Sequence, residues 1–287
     1  MDPKGSELGS LMTEQTNPSS ATIDQLSTEE MLRVINAEDR HVAEAVNAET
    51  VHIARAVDGI VEAIGRGGRL FYIGAGTSGR LGVLDAAECP PTFNVPPEWV
   101  QGIIAGGEGA LSRATETSED EPAIGASDLE LRGVTAADVV CGIAASGRTP
   151  YVLGAIDLAN QLGALTIGIS CTPDSELSRR AKIAITPVAG PEVIAGSTRL
   201  KAGTATKLVL NMLTTGAFIK LGYVRGNLMV NVQPKNSKLL DRAIRILMQV
   251  TGVAYEEAAV MLSEAGNSVQ AAVRNHEHRG KETRTNG

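Results

Sequence analysis

Short runs of apolar residues alternate with amphipathic stretches through the middle of the chain. Runs that are apolar at nearly every position are typical of strands buried on both faces of a sheet. They occur at 70–74, 102–105, 138–145, 165–170 and 183–187. Helices are predicted between them, from Ser78, near 110–116 and at 150–162. Strands alternating in this way with helices predict an α/β fold with a parallel sheet covered on both sides.

The N-terminal part of the chain precedes this alternation. Residues 1–20 are polar and interrupted by proline, which predicts a segment that is mobile or draped over another surface. Ser27 and Glu30 form a capping-box pattern ahead of a first helix, and a second helical pattern ends at Gly65.

The C-terminal part has a different character. A helix at about 201–220 is apolar on most sides and is therefore predicted to be buried. Past Pro234 the pattern predicts a small three-helix module, with helices at 239–250, 255–264 and 268–274. The predicted organisation is a main domain at 21–236, a helical module at 237–275 and a frayed tail at 276–287.

The junction after the first strand has the composition of an anion-binding loop. The run ending at Gly74 leads through Gly76, Thr77, Ser78 and Gly79 directly into a helix. Unpaired N–H groups at the helix start, the positive end of the helix dipole and two hydroxyls would converge on one anion. The glycines allow close approach of the main chain and positive φ where the turn needs it.

A second junction of the same design follows the strand near 139–145. It contains Ser146, Gly147 and Thr149, with Pro150 at the first helical position, where its missing N–H is not needed. Two strand, loop and helix units of this kind predict a pocket for a phosphate or a sugar phosphate.

Two other phosphate-binding motifs fit less well. The first loop lacks the order and the lysine of a P-loop. Gly74, Gly76 and Gly79 match the loose dinucleotide pattern, but the acidic residue expected about 20 residues later is replaced by a proline-broken loop at 90–97. Hydroxyl residues inside the turn favour a small phosphate monoester.

Composition and charge exclude several function classes. The 26 basic and 33 acidic residues give a net charge of −7, and an aromatic content of 3% leaves little for base stacking, so no nucleic-acid partner is expected. The absence of a long apolar run and of a signal-peptide core predicts a cytoplasmic protein with no membrane partner. Cys89, Cys141 and Cys171 are expected to be reduced thiols.

The histidines lie at 41, 52, 276 and 278, which leaves the central region without an imidazole. This argues against histidine-based zinc sites, Ser-His-Asp triads and histidine general bases in the predicted pocket. No metal is expected, and proton transfer is expected from carboxylates, with lysine or tyrosine in reserve.

Two further motifs, at 86–93 and 196–204, complete a family resemblance. Together with the two loops they resemble the sugar isomerase (SIS) family and, more closely, the N-acetylmuramic acid 6-phosphate etherases, over nearly the whole chain. The resemblance implies an SIS-type, flavodoxin-like, doubly wound sandwich with a UBA-like helical module. It also implies cleavage of the D-lactyl ether of N-acetylmuramic acid 6-phosphate in amino-sugar catabolism or peptidoglycan recycling, with no metal or organic cofactor.

The resemblance also assigns two catalytic carboxylates. Glu88 corresponds to the family's proton donor, and Glu119 corresponds to its second catalytic carboxylate, interpreted as the base. Elimination of an ether needs two carboxyl groups of opposite protonation state. Partial burial is expected to raise the pKa of Glu88. The neighbours Glu116, Asp120 and Glu121 compete with Glu119 for its role.

The loop residues are the candidate phosphate ligands. Their structural alternative is N-capping of the two helices, which serine and threonine perform routinely. Lower-ranked cations are Arg80 and Arg148, whereas Lys201 and Lys207 are candidate sugar or carboxylate contacts. The substrate-binding set is Gly76, Thr77, Ser78, Gly79, Ser146, Gly147 and Thr149.

The spacing along the first helix raises a question of reach. If that helix continued unbroken from Ser78 to Glu88, about 1.5 Å per residue would place the carboxylate roughly 15 Å from the phosphate, farther than a hexose phosphate extends. Either the chain bends back, or Glu88 serves the pocket of a neighbouring subunit. The second possibility predicts a homodimer with shared active sites.

Two alternative functions remain open from the sequence. An SIS-type phosphosugar isomerase would also begin by removing the C2 proton of an opened sugar phosphate. A non-catalytic sugar-phosphate sensor would resemble glucokinase regulatory protein, but that regulator carries two SIS domains, whereas only one fits in this chain.

Overall fold

A computed structural model describes residues 12–113, 119–231, 234 and 237–285. The chain divides into two compact units. The first contains the chain up to Ala87 and Pro97–Ala217, and the second contains Glu88–Pro96 and the chain from Phe218 onward. The boundary therefore lies earlier than the expected one at 236, and the second unit also takes in a short segment from the middle of the chain.

The first unit is built on a central sheet flanked by helices. Its strands are β1 (Leu70–Gly74), β2 (Val100–Ile104), β3 (Val139–Ile143), β4 (Leu165–Ile169) and β5 (Ile183–Ile185). The helices that begin in it are α1 (Thr28–Ala48), α2 (Thr50–Gly65), α3 (Gly76–Phe93), α4 (Gly109–Ser112), α5 (Pro122–Leu131), α6 (Pro150–Leu162), α7 (Glu176–Arg180) and α8 (Lys201–Lys220).

The sheet has the strand order β2-β1-β3-β4-β5, and all of its pairs are parallel. This is the flavodoxin-like doubly wound order, so the predicted fold class is confirmed. Every residue of β1 and of β3 is buried, as expected for central strands covered on both faces.

Different helices cover the two faces of the sheet. On one face Phe71 and Val140 belong to a core cluster that includes Ile156 of α6 and Leu177 of α7. On the other face the phenol of Tyr72 donates a hydrogen bond to Asp85 of α3 at 3.0 Å. The alternation of side chains along each strand thus supplies both layers.

The predicted proline-broken loop at 90–97 begins later than expected. Helix α3 continues through Pro90 and Pro91 and ends at Phe93. The Phe93 ring stacks on that of Phe218 at 4.6 Å, and the Asn94 N–H donates to the Pro90 carbonyl at 2.8 Å. These contacts within the second unit hold the last turn in helical geometry in spite of the two missing N–H donors.

The N-terminal segment is packed rather than mobile over residues 12–20; residues 1–11 lie outside the described part. Short 3₁₀ turns form at Met12–Glu14 and Pro18–Ser20. The Asn17 side-chain amide donates to the Pro191 carbonyl at 3.1 Å, and the Ser20 hydroxyl donates to the Val193 carbonyl at 2.7 Å. The side chains of Asn17 and Ser20 therefore attach this segment to the loop at 191–193.

The second unit contains a two-stranded hairpin and three helices in its described part. They are β6 (Val224–Arg225), β7 (Leu228–Met229), α9 (Ser237–Thr251), α10 (Tyr255–Glu264) and α11 (Val269–Thr285). A separate core joins the three helices through Leu247, Leu262 and Val273. The predicted three-helix module is present, but its last helix continues to Thr285, where a frayed tail was expected. No helix among the described residues is long and apolar enough to cross a membrane.

Candidate functional site

The two loops predicted to bind phosphate lie side by side. Strands β1 and β3 are neighbours, with Gly74 paired in register with Ile143, and the chain leaves them toward opposite sides of the sheet. The carboxyl ends of two such strands form the crevice in which doubly wound proteins bind ligands. The first loop follows β1 and the second follows β3, so both open into that crevice.

The first loop (residues 75–79) uses its glycines for two different purposes. Gly76 has a φ of 51°, in the left-handed region where a side chain is disfavoured. Gly79 instead permits close packing, because a Cβ there would lie 2.6 Å from the Gly74 carbonyl oxygen. The partly exposed hydroxyl residues Thr77 and Ser78 lie in the first turn of α3, which begins at Gly76.

The second loop (residues 144–149) is enclosed by neighbouring chain. Gly147 has a φ of 65°, and a Cβ there would overlap with Ser175. The Gly147 carbonyl accepts a hydrogen bond from the Leu177 N–H at 2.9 Å. The Ser146 hydroxyl accepts from the Arg148 N–H at 3.3 Å, which makes it partly a turn-forming group.

Thr149 occupies the N-cap position of α6. Its hydroxyl makes no capping hydrogen bond to that helix within the described part of the chain. N-capping therefore does not explain this residue, and its partly exposed side chain lies at the loop beside the helix N-terminus.

Glu119 lies at the second loop. Its carbonyl oxygen accepts a hydrogen bond from the N–H of Tyr151, the second residue of α6, at 3.1 Å. Nothing in the local sequence predicts this pairing, because Glu119 precedes α5 whereas Tyr151 belongs to α6. Glu116, one competitor for the role of Glu119, lies outside the described residues; Asp120 and Glu121 are exposed.

Glu88 is exposed on α3, so the expected burial is wrong in the single chain. The helix carries it without a break from Gly76 to Phe93, and the chain does not bend back between Ser78 and Glu88.

Arg80 and Lys201 are committed to structural contacts. The Arg80 guanidinium donates to the carbonyls of Ala110 at 2.7 Å and Leu111 at 3.1 Å, at the end of α4. The ammonium of Lys201 is 2.7 Å from the Glu38 carboxylate, and its side chain is 2% exposed. The hydrogen bond from Lys201 lowers the pKa of Glu38 and outweighs burial, which would raise it. The expectation that Lys201 contacts substrate is therefore not supported.

The 196–204 motif reaches the first loop through α8. A Cβ on Gly203 would lie 3.5 Å from Cγ2 of Thr77. The helix start is capped from a distance, because the buried Glu192 carboxylate accepts from the N–H groups of Lys201 at 2.8 Å and Ala202 at 2.9 Å. Sequence analysis missed Glu192 because it lies well before the helix start and outside any capping pattern.

Asp85 is a second group that sequence analysis missed. Its carboxylate accepts hydrogen bonds from Tyr72 at 3.0 Å and from the Asn211 side chain at 2.8 Å. Burial raises the pKa of this carboxyl group, and the hydrogen bonds partly oppose that change. It joins β1, α3 and α8. The only sequence signal was an acidic residue in an otherwise apolar stretch of helix.

No three acidic, histidine or cysteine side chains of the described residues are grouped to hold a metal ion. The three cysteines are buried thiols outside any disulfide, and burial raises the pKa of Cys171 to about 12. Such a thiol stays protonated and is a poor nucleophile.

Comparison with known proteins places this geometry in a family. The model for the N-terminal SIS domain of glucokinase regulatory protein matches residues 52–160, and the SIS domain model matches residues 117–216. N-acetylmuramic acid 6-phosphate etherase from Pectobacterium atrosepticum is 54% identical over 95% of this chain and 90% of its own length. The chain belongs to the N-acetylmuramic acid 6-phosphate etherase family. The etherase from Jannaschia is 55% identical over 93% of this chain and 85% of its own length.

Solved structures agree with this etherase-family fold. The phosphoheptose isomerase from Neisseria gonorrhoeae aligns with a TM-score of 0.52 and 15% identity over 67% of this chain and 99% of its own. That from Francisella tularensis aligns with a TM-score of 0.50 and 17% identity over 66% and 99%. At these identities the likeness concerns the fold alone. Both family models fall on the same five-stranded sheet, consistent with one SIS domain in the described residues.

Proposed function

We propose that this chain cleaves the D-lactyl ether of N-acetylmuramic acid 6-phosphate to N-acetylglucosamine 6-phosphate and D-lactate, as a carbon–oxygen lyase of the cytoplasm without metal or organic cofactor. Membership of the etherase family at 54% identity supports the substrate. The observation that supports the chemistry is that the Glu119 backbone carbonyl accepts a 3.1 Å hydrogen bond from the start of α6, beside the second of the two neighbouring loops.

The proposed reaction is an elimination followed by addition of water. Ring opening exposes an aldehyde at C1, which acidifies the proton on C2. A base removes that proton, the C3–O bond breaks, and an acid protonates the departing lactate oxygen. The resulting unsaturated aldehyde then takes hydroxide at C3 and a proton at C2. The two carboxyl groups must begin in opposite protonation states.

The residue roles follow from the loops and the family motifs. The N–H groups and hydroxyls of the two loops bind the 6-phosphate, supported by the dipoles of α3 and α6. Glu119 acts as the base and Glu88 as the proton donor. Support for Glu119 is its backbone contact with α6, whereas support for Glu88 is its place in the family motif.

We also propose a homodimer in which Glu88 acts in the pocket of the neighbouring subunit. Helix α3 runs unbroken from Gly76 to Phe93 and leaves Glu88 exposed. A rise of about 1.5 Å per residue takes Glu88 roughly 15 Å along the helix from Ser78, beyond the reach of one hexose phosphate.

The reaction is tested with purified protein and N-acetylmuramic acid 6-phosphate in ¹⁸O-labelled water. Elimination and rehydration would place the label at sugar C3 and release unlabelled D-lactate. Label in the lactate would mean attack at the lactyl carbon and would contradict the mechanism, and no release of lactate would contradict the function.

The carboxylates are tested by Glu88→Gln and Glu119→Gln, which keep the shape and remove proton transfer. A missing acid or base costs about 10²–10⁴-fold in kcat. Glu121→Gln, an exposed neighbour, is the matched control and should retain wild-type turnover. Unaltered kcat in either test variant would remove that residue from the mechanism.

The shared site is tested by mixing two inactive variants. Glu88→Gln lacks the donor, and a variant carrying Thr77→Val with Ser78→Ala lacks loop hydroxyls. Subunit exchange should restore part of the activity if one pocket combines both chains. Mixed dimers that stay inactive, with exchange demonstrated by mass spectrometry, would assign Glu88 to its own subunit's pocket.

A further inference from the structure

Helices α5 and α6 pack backbone against backbone. A Cβ on Gly125 of α5 would overlap with the Tyr151 carbonyl, and a Cβ on Gly154 of α6 would overlap with the Pro122 carbonyl. Each helix thus has one glycine that packs directly against the main chain of the other helix. No other residue fits at either position without separating the two helices.

This contact lies at the end of both helices that adjoins the site. Helix α5 begins at Pro122 and α6 begins at Pro150, and Glu119 lies one short turn before Pro122. The Tyr151 N–H donates to the Glu119 carbonyl at 3.1 Å. The separation of the two helices therefore determines where the Glu119 backbone lies relative to Thr149 of the second loop.

The side chain of Tyr151 fixes the same contact from within the core. It is 0% exposed, and its phenol donates to the Asp128 carboxylate of α5 at 2.6 Å. A buried hydroxyl needs a partner, because leaving it unpaired costs about 1–3 kcal/mol. Burial, with Asp128 adding to it, raises the pKa of this phenol, so it stays a hydrogen-bond donor at neutral pH.

We infer that Tyr151, held by Asp128 and by the paired glycines Gly125 and Gly154, is the positioning residue for Glu119. The inference rests on the proposed function of Glu119 as the base. Tyr151 cannot itself touch a substrate, because its side chain is fully buried. Its backbone N–H holds Glu119, and its phenol anchors α5, so one residue joins the base to the loop that binds phosphate.

The inference predicts a loss in kcat without a loss of substrate binding. A misplacement of about 1 Å can cost about 100-fold in rate. Tyr151→Phe and Asp128→Leu each break the phenol contact and should lower kcat about tenfold, with KM changed less than about twofold, because the phosphate loop remains. The double variant should lose no more than either single one, because both remove the same bond.

Conservative and matched variants separate positioning from simple packing. Asp128→Asn keeps an acceptor for the phenol and should restore wild-type kcat. Gly154→Ala forces the helices apart and should lower kcat about 100-fold where it folds. Gly65→Ala is the control, because Gly65 ends α2 and nothing lies within 4 Å of an added Cβ.

Amide exchange of Tyr151 gives a measurement that does not depend on catalysis. Its N–H donates to Glu119, so Asp128→Leu should accelerate its exchange about tenfold or more, whereas Asp128→Asn should not. Wild-type kcat and wild-type exchange in both Tyr151→Phe and Asp128→Leu would overturn the inference, as would lower stability with unchanged kcat. If the unmodified protein released no lactate, the proposed function would fail, and exchange at Tyr151 would still decide whether Asp128 positions this segment.

Discussion

The two loops predicted to bind phosphate resemble each other in sequence but are held in different ways. In the first loop, an added Cβ on the positive-φ glycine Gly76 would meet nothing within 4 Å. In the second, the equivalent glycine, Gly147, is enclosed by Ser175 and bonded to Leu177. The glycine of the first loop is thus free of steric enclosure, whereas that of the second is enclosed by the distant segment at 170–177. Similar motifs therefore need not tolerate the same substitutions.

The largest expected difference comes from the two positive-φ glycines. Gly147→Ala combines a left-handed residue with a steric overlap and should cost about 3–5 kcal/mol of unfolding free energy. Gly76→Ala has only the backbone penalty and should cost about 1–2 kcal/mol. Urea denaturation measures both. Gly107→Ala, with a φ of 68° and open space around its Cβ, is the control and should match Gly76→Ala. Equal losses at Gly76 and Gly147 would remove the distinction between the loops.

A smaller effect is expected where the two supporting strands begin. Asp138 accepts from Arg69 before β1 at 2.9 Å and from the Thr135 N–H before β3 at 2.7 Å. Asp138→Asn should cost about 2–3 kcal/mol and should weaken both loops alike. Circular dichroism during urea denaturation measures the free energy of unfolding. A change in ligand contacts at only one of the two loops would contradict the expectation that both are weakened alike.

The Asp138 contact also predicts a pH dependence. Burial raises the pKa of this carboxyl group, but hydrogen bonds from Arg69 and Thr135 outweigh burial and hold it below the ordinary value. A depressed folded-state pKa gives stability that is present above the unfolded value of about 3.9 and is lost as pH falls further. Acidification below about pH 4 should therefore narrow the stability difference between the wild type and Asp138→Asn. A constant difference from pH 7 to pH 3 would contradict this assignment.

The smallest expected effect concerns one hydroxyl. Thr149 does not cap α6, so Thr149→Val should leave the melting temperature unchanged while weakening N-acetylglucosamine 6-phosphate binding about tenfold, because one bond to the phosphate is lost. Calorimetric titration measures the affinity. Ser27→Ala is the contrasting control, because Ser27 caps α1 and its loss should cost about 1 kcal/mol of stability without changing the affinity.

Local sequence patterns predicted the elements that depend on local periodicity. The bounds of β1, α6 and α8 match their apolar runs, and both loops lie where the glycines and hydroxyls indicated. The pattern failed at Pro90 and Pro91, because a contact between Phe93 and Phe218 outweighs the local tendency of proline to end a helix. It also missed α5, because the short polar segment that leads into this helix shows little periodicity.

Sequence reasoning could not predict the polar contacts between distant residues. Lys201 pairs with Glu38 across 163 positions, and Asn211 bonds Asp85 across 126. A lysine that is available to substrate and one that is buried in an ion pair have the same letter and similar neighbours. The attachment of Glu119 to Tyr151 is of this kind, so the role proposed for Glu119 rests on the family resemblance, whereas its position is known from the fold.

The reversal of strand order between β1 and β3 has a mechanical consequence. The half of the sheet formed by β1 and β2 carries the first loop, and the half formed by β3, β4 and β5 carries the second. A single dianion bound by both loops would therefore link the two halves. That crevice lies between β1 and β3, whereas β2 and β5 are the outer strands of the sheet. A sugar phosphate bound in the crevice should nevertheless slow amide exchange of β2 and β5 with deuterated solvent. Neither half could then unfold locally without losing its contacts to the ligand.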